Sequence, residues 1–304
     1  MTDIHPSLPR LDRCTPNSRN PLRSFISAIA VIFALLLTGI AVPMAWADAN
    51  IVREDGFVAL TSPIGKDQAF QARLAATAVA SLESKLNLPA PVEQAASSLL
   101  KDAATAMTTW PEYPQAWNET LRRSHKLTFA GNAGSGNPAA ATSLVLDVGP
   151  LVKLAADRLH TATGLPIATP DSALVNIGGP AQRQQVDAIA AYAPMWWIPG
   201  LGAVLLFALG LLAAKRRGVV FLFAGLGLAA VAALWQVAAT VLKGAGDVGL
   251  GGTATGGLFA RQLVAAAADH FAGWITIAWI AAGVLVLLGL LGVMFARRAG
   301  RARG

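Results

Sequence analysis

Between Trp110 and His125 the stretch WPEYPQAWNETLRRSH gathers three aromatic rings, an asparagine, two arginines and a histidine. Residues of those types, so close together, could do two kinds of work. A histidine can act as a general base, and His125 with Ser62 or Ser143 and with Asp147 would supply the residue types of a hydrolase triad. Alternatively, Trp117, Arg122 and His125 could form a surface that holds a ligand or partner, because aromatic and arginine side chains dominate such surfaces. No G-x-S-x-G elbow accompanies the first arrangement, and neither H-E-x-x-H nor a carboxylate-rich cluster accompanies His125 or His160. The expectation is therefore no enzyme, no metal and no cofactor. A plainer reading competes with both. On a helix opened by Pro111 or Pro114 and running to about Phe129, Trp117, Leu121, Ser124 and His125 share one face. Asn118, Glu119, Arg122 and Arg123 lie around the rest, so the stretch is first an amphipathic helix with Trp117 and His125 packing inward.

That helix must be positioned by a membrane protein. Hydrophobic residues make up 54% of the chain and charged ones 13%, with a positive mean hydropathy, a balance that a soluble domain rarely shows. Crossing the ~30 Å hydrocarbon layer as a helix takes about 20 mainly apolar residues. Four segments qualify: 25–46, 194–214, 219–242 and 271–296. Short flanks rich in Lys and Arg stay in the cytoplasm. Arg10, Arg13, Arg19 and Arg23 lie in the tail 1–24, Lys215, Arg216 and Arg217 fill the turn 215–218, and Arg297, Arg298, Arg301 and Arg303 lie in the tail 297–304. Both termini are expected inside a cytoplasmic membrane. Residues 47–193, with 11 basic and 13 acidic side chains from Asp48 to Ala193, are expected outside it, as is the loop 243–270. The net charge of +7 is thus a topology signal with weak attraction to anionic lipid, and no sign of nucleic-acid binding.

The first segment has a second reading. AWA at Ala45–Ala47 has the form read by signal peptidase, so the segment could be a signal peptide cleaved after Ala47, although its apolar run is longer than the roughly 7 to 15 residues usual there. Cys14, the only cysteine, lies in the cytoplasmic tail and rules out internal disulfides in the exported part.

Within 47–193, Phe70, Leu74, Ala78, Leu82 and Leu86 recur at helical spacing, and LPAP at Leu88–Pro91 breaks that helix. Val92, Ala96, Leu99, Ala103 and Met107 mark a second helix, and GNAGSGNP after Phe129 reads as a linker. Leu144, Leu146 and Val148 alternate as a strand, Pro150 opens a helix capped by Gly164, and SALVNIGG is a second strand before a helix from Ala181 to Tyr192. The two strands could pair as a small β-α-β unit. LFARQLVAAAADHF in the loop 243–270 could be an interfacial helix or a lid on the larger domain.

Candidate polar groups in the last two apolar segments are few: Trp235, Gln236, Thr240 and Thr276. Gly225, Ala229 and Ala233 form a small-residue stripe at four-residue spacing, and with Gln236 they are expected to pack helix against helix. Trp196, Trp197 and Trp274 suit the headgroup layer. GNAGSG and GLGGTATGG lack the GK[ST] of a phosphate loop.

The run from Trp46 through REDGFVALTSPIGKDQAFQ, Trp117 and His125 eight residues apart, and LVLDVGPLVKLAADRL together resemble an uncharacterised four-helix integral membrane protein family of high-GC Gram-positive (actinobacterial) bacteria. Phe57, Pro63, Asp67, Trp117, Arg122 and His125 stand at places of that family's pattern, while Leu121 stands where asparagine is common. The resemblance covers about 50–200 and implies a retained first helix with Trp46 at its outer end; the family has no established activity.

The expected fold is mainly α: a polytopic membrane protein with four transmembrane helices, a largely helical extracytoplasmic domain and a small two-stranded β element. The expected role is a non-enzymatic interaction or sensing module of the cell envelope, whose partners are the lipid bilayer and an envelope protein, lipid or cell-wall component. Alternatives are an accessory subunit of a transport or export system, working through Gln236 and the Gly225 stripe, and a membrane-anchored hydrolase centred on His125.

Overall fold

A computed structural model of the protein describes residues 21–74, 76, 106–129, 142–164, 169–245 and 254–301. The expected linker at 131–138, the Phe70 stripe beyond Leu74 and the second helix up to Ala103 lie outside the described residues. Helix α1 (Pro21–Ala47) runs into a π-turn, Asp48–Val52, followed by α2 (Glu54–Thr61) and a 3-10 turn, Ser62–Lys66. After helical residues 68–74 come α3 (Tyr113–Phe129), β1 (Leu144–Asp147), α4 (Gly149–Thr163), β2 (Leu174–Gly178) and α5 (Pro180–Tyr192). A 3-10 turn, Ala193–Trp196, leads into α6 (Trp197–Ala213), then α7 (Arg217–Ala245) and α8 (Ala254–Arg301).

Four helical stretches, built on α1, α6, α7 and α8, are long and apolar enough to cross a membrane. α1 lies along α6, α7 lies along α8, and α1 meets α7. Buried small and apolar residues recur at seven-residue spacing on these helices: Ser27, Ala34 and Ala41 on α1, Ala203 and Gly210 on α6, and Ile275 and Ala282 on α8, with Ala30 and Val31 buried beside the first set. On α7 the same spacing joins Gly218, Gly225 and Ala232. A seven-residue repeat keeps one seam of a helix facing its neighbour, and small residues on that seam let the backbones approach. A Cβ on Gly225 would stand 2.8 Å from the Ala282 carbonyl oxygen, and one on Gly289 would stand 2.5 Å from the Leu222 backbone nitrogen. Of the expected four-residue stripe, Gly225 lies in this seam, Ala229 and Ala233 are half-buried, and Gln236 is exposed.

Proline 43 sits inside α1 and has no N–H to give the carbonyl of Gly39, four residues back. The indole Nε1–H of Trp235 on α7 donates to that carbonyl at 3.2 Å. In hydrocarbon no water could do so.

The remaining elements form one core at the end of the bundle where α1 finishes. Val58, Ile64, Phe70, Trp117, Leu121, Leu146, Leu151 and Val175 belong to it, and Phe259 of α8 reaches in from the bundle side. The strands pair antiparallel, with Leu146 opposite Val175 and Asp147 opposite Leu174, so the unit is not a parallel β-α-β crossover. Asp147 explains the direction. Its Oδ1 accepts the N–H groups of both Gly149 and Ala173 at 3.0 Å, which pins the start of β2 to the end of β1. Gly164 ends α4 with φ of 73°, the left-handed cap that glycine adopts without strain.

Two substitutions test the seam and the proline pairing. Gly289→Val should destabilise the full chain by about 1–3 kcal/mol through overpacking against Leu222, and Trp235→Phe should cost about 1–3 kcal/mol by orphaning the Gly39 carbonyl. Gln236→Leu should stay within about 0.5 kcal/mol. Thermal melts in one detergent rank the three.

Candidate functional site

Helix α3 carries the chemically rich stretch, with Tyr113 and Pro114 in its first turn. Trp117 is 1% exposed and meets Phe70 edge to face at 5.8 Å. Gly65 lies so close that a Cβ there would stand 2.5 Å from the indole. The indole Nε1 has no hydrogen-bond partner among the described residues, so Trp117 acts by filling space. Tyr113 donates its hydroxyl to the Gly65 carbonyl at 2.9 Å, and burial pushes its phenol well above the usual range. Leu121 is fully buried in the same core.

Two turns along, His125 faces a different neighbour. Its ring stacks on Phe129 with centroids 4.3 Å apart and tilts against Phe57 at 5.2 Å. Its Nε2 lies 3.1 Å from the carbonyl oxygen of Ile51. A carbonyl only accepts, so this nitrogen carries the proton and donates. Ile51 belongs to the π-turn that ends α1, where carbonyls run short of helical donors. Burial between the phenyl rings lowers the His125 pKa below its ordinary value, against the opposing pull of the Ile51 carbonyl and the Glu54 carboxylate.

Arg122 is half exposed and 3.9 Å from both Glu54 and Glu119, and Lys126 is 3.9 Å from Glu54. Such long, solvated pairs contribute under about 1 kcal/mol each. Arg123 pairs with Glu119 at 3.1 Å and donates to the Asp171 carbonyl at 3.2 Å. The Ser62 hydroxyl donates to the Val58 carbonyl and lies 2.6 Å from the side chain of Asn118. The Ser124 hydroxyl accepts the Asp147 N–H at 2.9 Å. Thus Trp117 and His125 pack inward on the 3-10 turn, α2 and the π-turn, Arg122 lies at the solvent edge of α3, and Asp147 holds backbone N–H groups. Among the described residues no group of three or more His, Cys, Asp or Glu is placed to hold a metal ion.

The structure adds a second junction that the sequence reading did not single out. Trp46 Nε1–H donates to Nδ1 of His270 at 3.0 Å, and Phe271 sits edge-on to both Trp46 and Trp235, at 5.6 and 5.8 Å. Just beyond, Gln262 donates to Asp67 Oδ2 at 2.8 Å, and Phe259 meets Phe70 at 5.7 Å. Residues 258–271, read as an interfacial helix or a lid, therefore belong to the first turns of α8, which starts at Ala254 and is continuous with the fourth apolar segment. Trp46 was legible as a helix end and Asp67 as a place in the family's pattern, but neither pairing was, because His270 and Gln262 lie 224 and 195 positions away.

These contacts make two predictions. Trp117→Ala should destabilise the protein by about 3–5 kcal/mol, whereas Arg122→Ala should cost less than about 1 kcal/mol. The lowered His125 pKa also sets a pH window. Below about pH 6.5 the unfolded chain binds a proton before the folded chain does, so this stability is full above that pH and is lost as pH falls. His125→Phe keeps a ring between Phe57 and Phe129 but cannot titrate. Its melting temperature should lie below the wild type at pH 7.5, with the gap narrowing toward pH 5; a gap independent of pH would refute the assignment.

Compared with known proteins, the chain matches no family model, no curated protein and no solved structure.

Proposed function

We propose that this is a multi-pass protein of the cytoplasmic membrane, with both termini in the cytoplasm and the domain formed by residues 47–193 outside. The domain serves as a non-enzymatic interaction or sensing module of the cell envelope, contacting an envelope protein, a lipid or the cell wall. The observation that carries this reading is the continuity of α8. It is one helix of 48 residues, and the stretch from Phe259 in the domain core to Arg298 at the far end of the bundle covers about 60 Å at ~1.5 Å per residue. A displacement of the domain core is therefore a displacement of the fourth apolar helix.

The same junction supports keeping α1 rather than cleaving after Ala47. The segment supplies Val31 and Leu35 to the packing against α7, and Trp46 to the contact with His270. The basic flanks support the orientation. A signal arriving along α8 would pass to a partner protein.

Two experiments bear on this. With Cys14 replaced by serine, a cysteine at Asp187 should react with a membrane-impermeant maleimide in intact cells, and one at Arg216 should react only after permeabilisation. The reverse pattern would invert the topology. The interaction role predicts that pull-down of the intact protein recovers an envelope component through the domain, and that deleting residues 54–190 gives an envelope phenotype. If neither is found, the role is wrong.

A further inference from the structure

The basic residues treated so far as a topology signal come together in space. Ser27 Oγ donates to the Gly210 carbonyl at 2.8 Å, so α1 and α6 are level there. Arg23 lies four residues further out along α1, about 6 Å at ~1.5 Å per residue, and Lys215 follows the extended Ala214 just past the end of α6 at Ala213. In the other pair a Cβ on Gly218 would stand 2.9 Å from the carbonyl carbon of Gly292. Arg217 is the next residue outward on α7, and Arg297 and Arg298 lie about 8 to 9 Å beyond Gly292. Val31, Val220 and Ala224 pack together near this end and join the two pairs.

Six cations, Arg23, Lys215, Arg216, Arg217, Arg297 and Arg298, thus crown one end of the bundle, all of them exposed. No acidic residue occurs in α1, α6 or α7, and the one in α8, Asp269, lies at the opposite end beside Lys243. The crown is about 8 Å deep, matching a headgroup layer of about 5–8 Å on each side of the hydrocarbon.

We propose that this crown is a binding surface for the phosphodiester headgroups of anionic phospholipids. Two features select a lipid over a soluble anion. Large apolar side chains flank the cations: Phe25, Leu212 and Phe295 are each more than 60% exposed. A ligand with a negative headgroup and acyl chains matches both the charged rim and the apolar sides. Five of the six cations are arginines, whose planar forks pair two donors with two phosphate oxygens.

The test uses the purified full-length protein in nanodiscs of mixed phosphatidylcholine and phosphatidylglycerol, with the lipids that stay bound on release counted by native mass spectrometry. Phosphatidylglycerol should be enriched over phosphatidylcholine. Each cation near the surface changes such binding by roughly fivefold, so the triple variant Arg217→Gln, Arg297→Gln, Arg298→Gln should reduce the enrichment by more than tenfold. The triple lysine variant should retain most of it. Wild-type enrichment should also fall as salt rises, a readout that needs no variant. Equal retention of both lipids, enrichment unchanged by salt, or enrichment unchanged in the glutamine variant would each overturn the proposal. So would displacement of the lipid by millimolar inorganic phosphate, which would make the site one for a free anion.

Discussion

Proline 43 leaves a carbonyl of α1 without its helical donor, in a segment apolar enough to lie in hydrocarbon, where an unpaired backbone group costs several kcal/mol. The indole of Trp235 supplies the donor from α7. Similar demands recur along the same helix. Where α1 ends in its π-turn, the Ile51 carbonyl takes its donor from His125, and the Trp46 carbonyl takes one from Asn50. Near its start, the Ser27 hydroxyl, buried between helices, finds its own acceptor in the Gly210 carbonyl of α6, which also takes the Ala214 N–H. Satisfying the polar backbone of apolar helices thus decides which elements must touch, and the side chains that do so join the bundle to the domain.

Those contacts rest on close approach. The seven-residue spacing of small side chains brings α7 and α8 together backbone to backbone, and Phe271 meets both Trp235 and Trp46. The domain depends on the same geometry, since its core is completed by Phe259 from α8. Apolar burial and backbone pairing therefore act together at one place, the end of α1. A domain anchored at three points, through His125 on Ile51, through Asp67 on Gln262 and through Phe259 in its core, is mechanically part of the bundle.

The chemistry of the aromatic stretch follows from this. His125 is confined between Phe57 and Phe129 with its Nε2 proton on a carbonyl, and Trp117 fills the space over Gly65. Arg122 remains in solvent with weak partners. One helix thus presents a packed face to the end of α1 and a charged face to whatever lies outside it.

Local periodicity made much of this legible. The apolar lengths of the four long helices, the proline-opened α3, the Gly164 cap and the two strands around Leu146 and Val175 all depend on residues within a few positions of one another. The sequence alone determined a mainly helical membrane protein with a small β element, and the inward face of Trp117 and His125. Tertiary structure decided what that face meets. It also decided the antiparallel sense of the strands, through Asp147. It replaced a four-residue stripe with a seven-residue seam and left Gln236 exposed, because helix period alone does not reveal which face a neighbour will choose. The partners of Pro43 and Trp46 lie about two hundred residues away in the chain, and only the packing of one helix on another brings such groups within hydrogen-bonding distance.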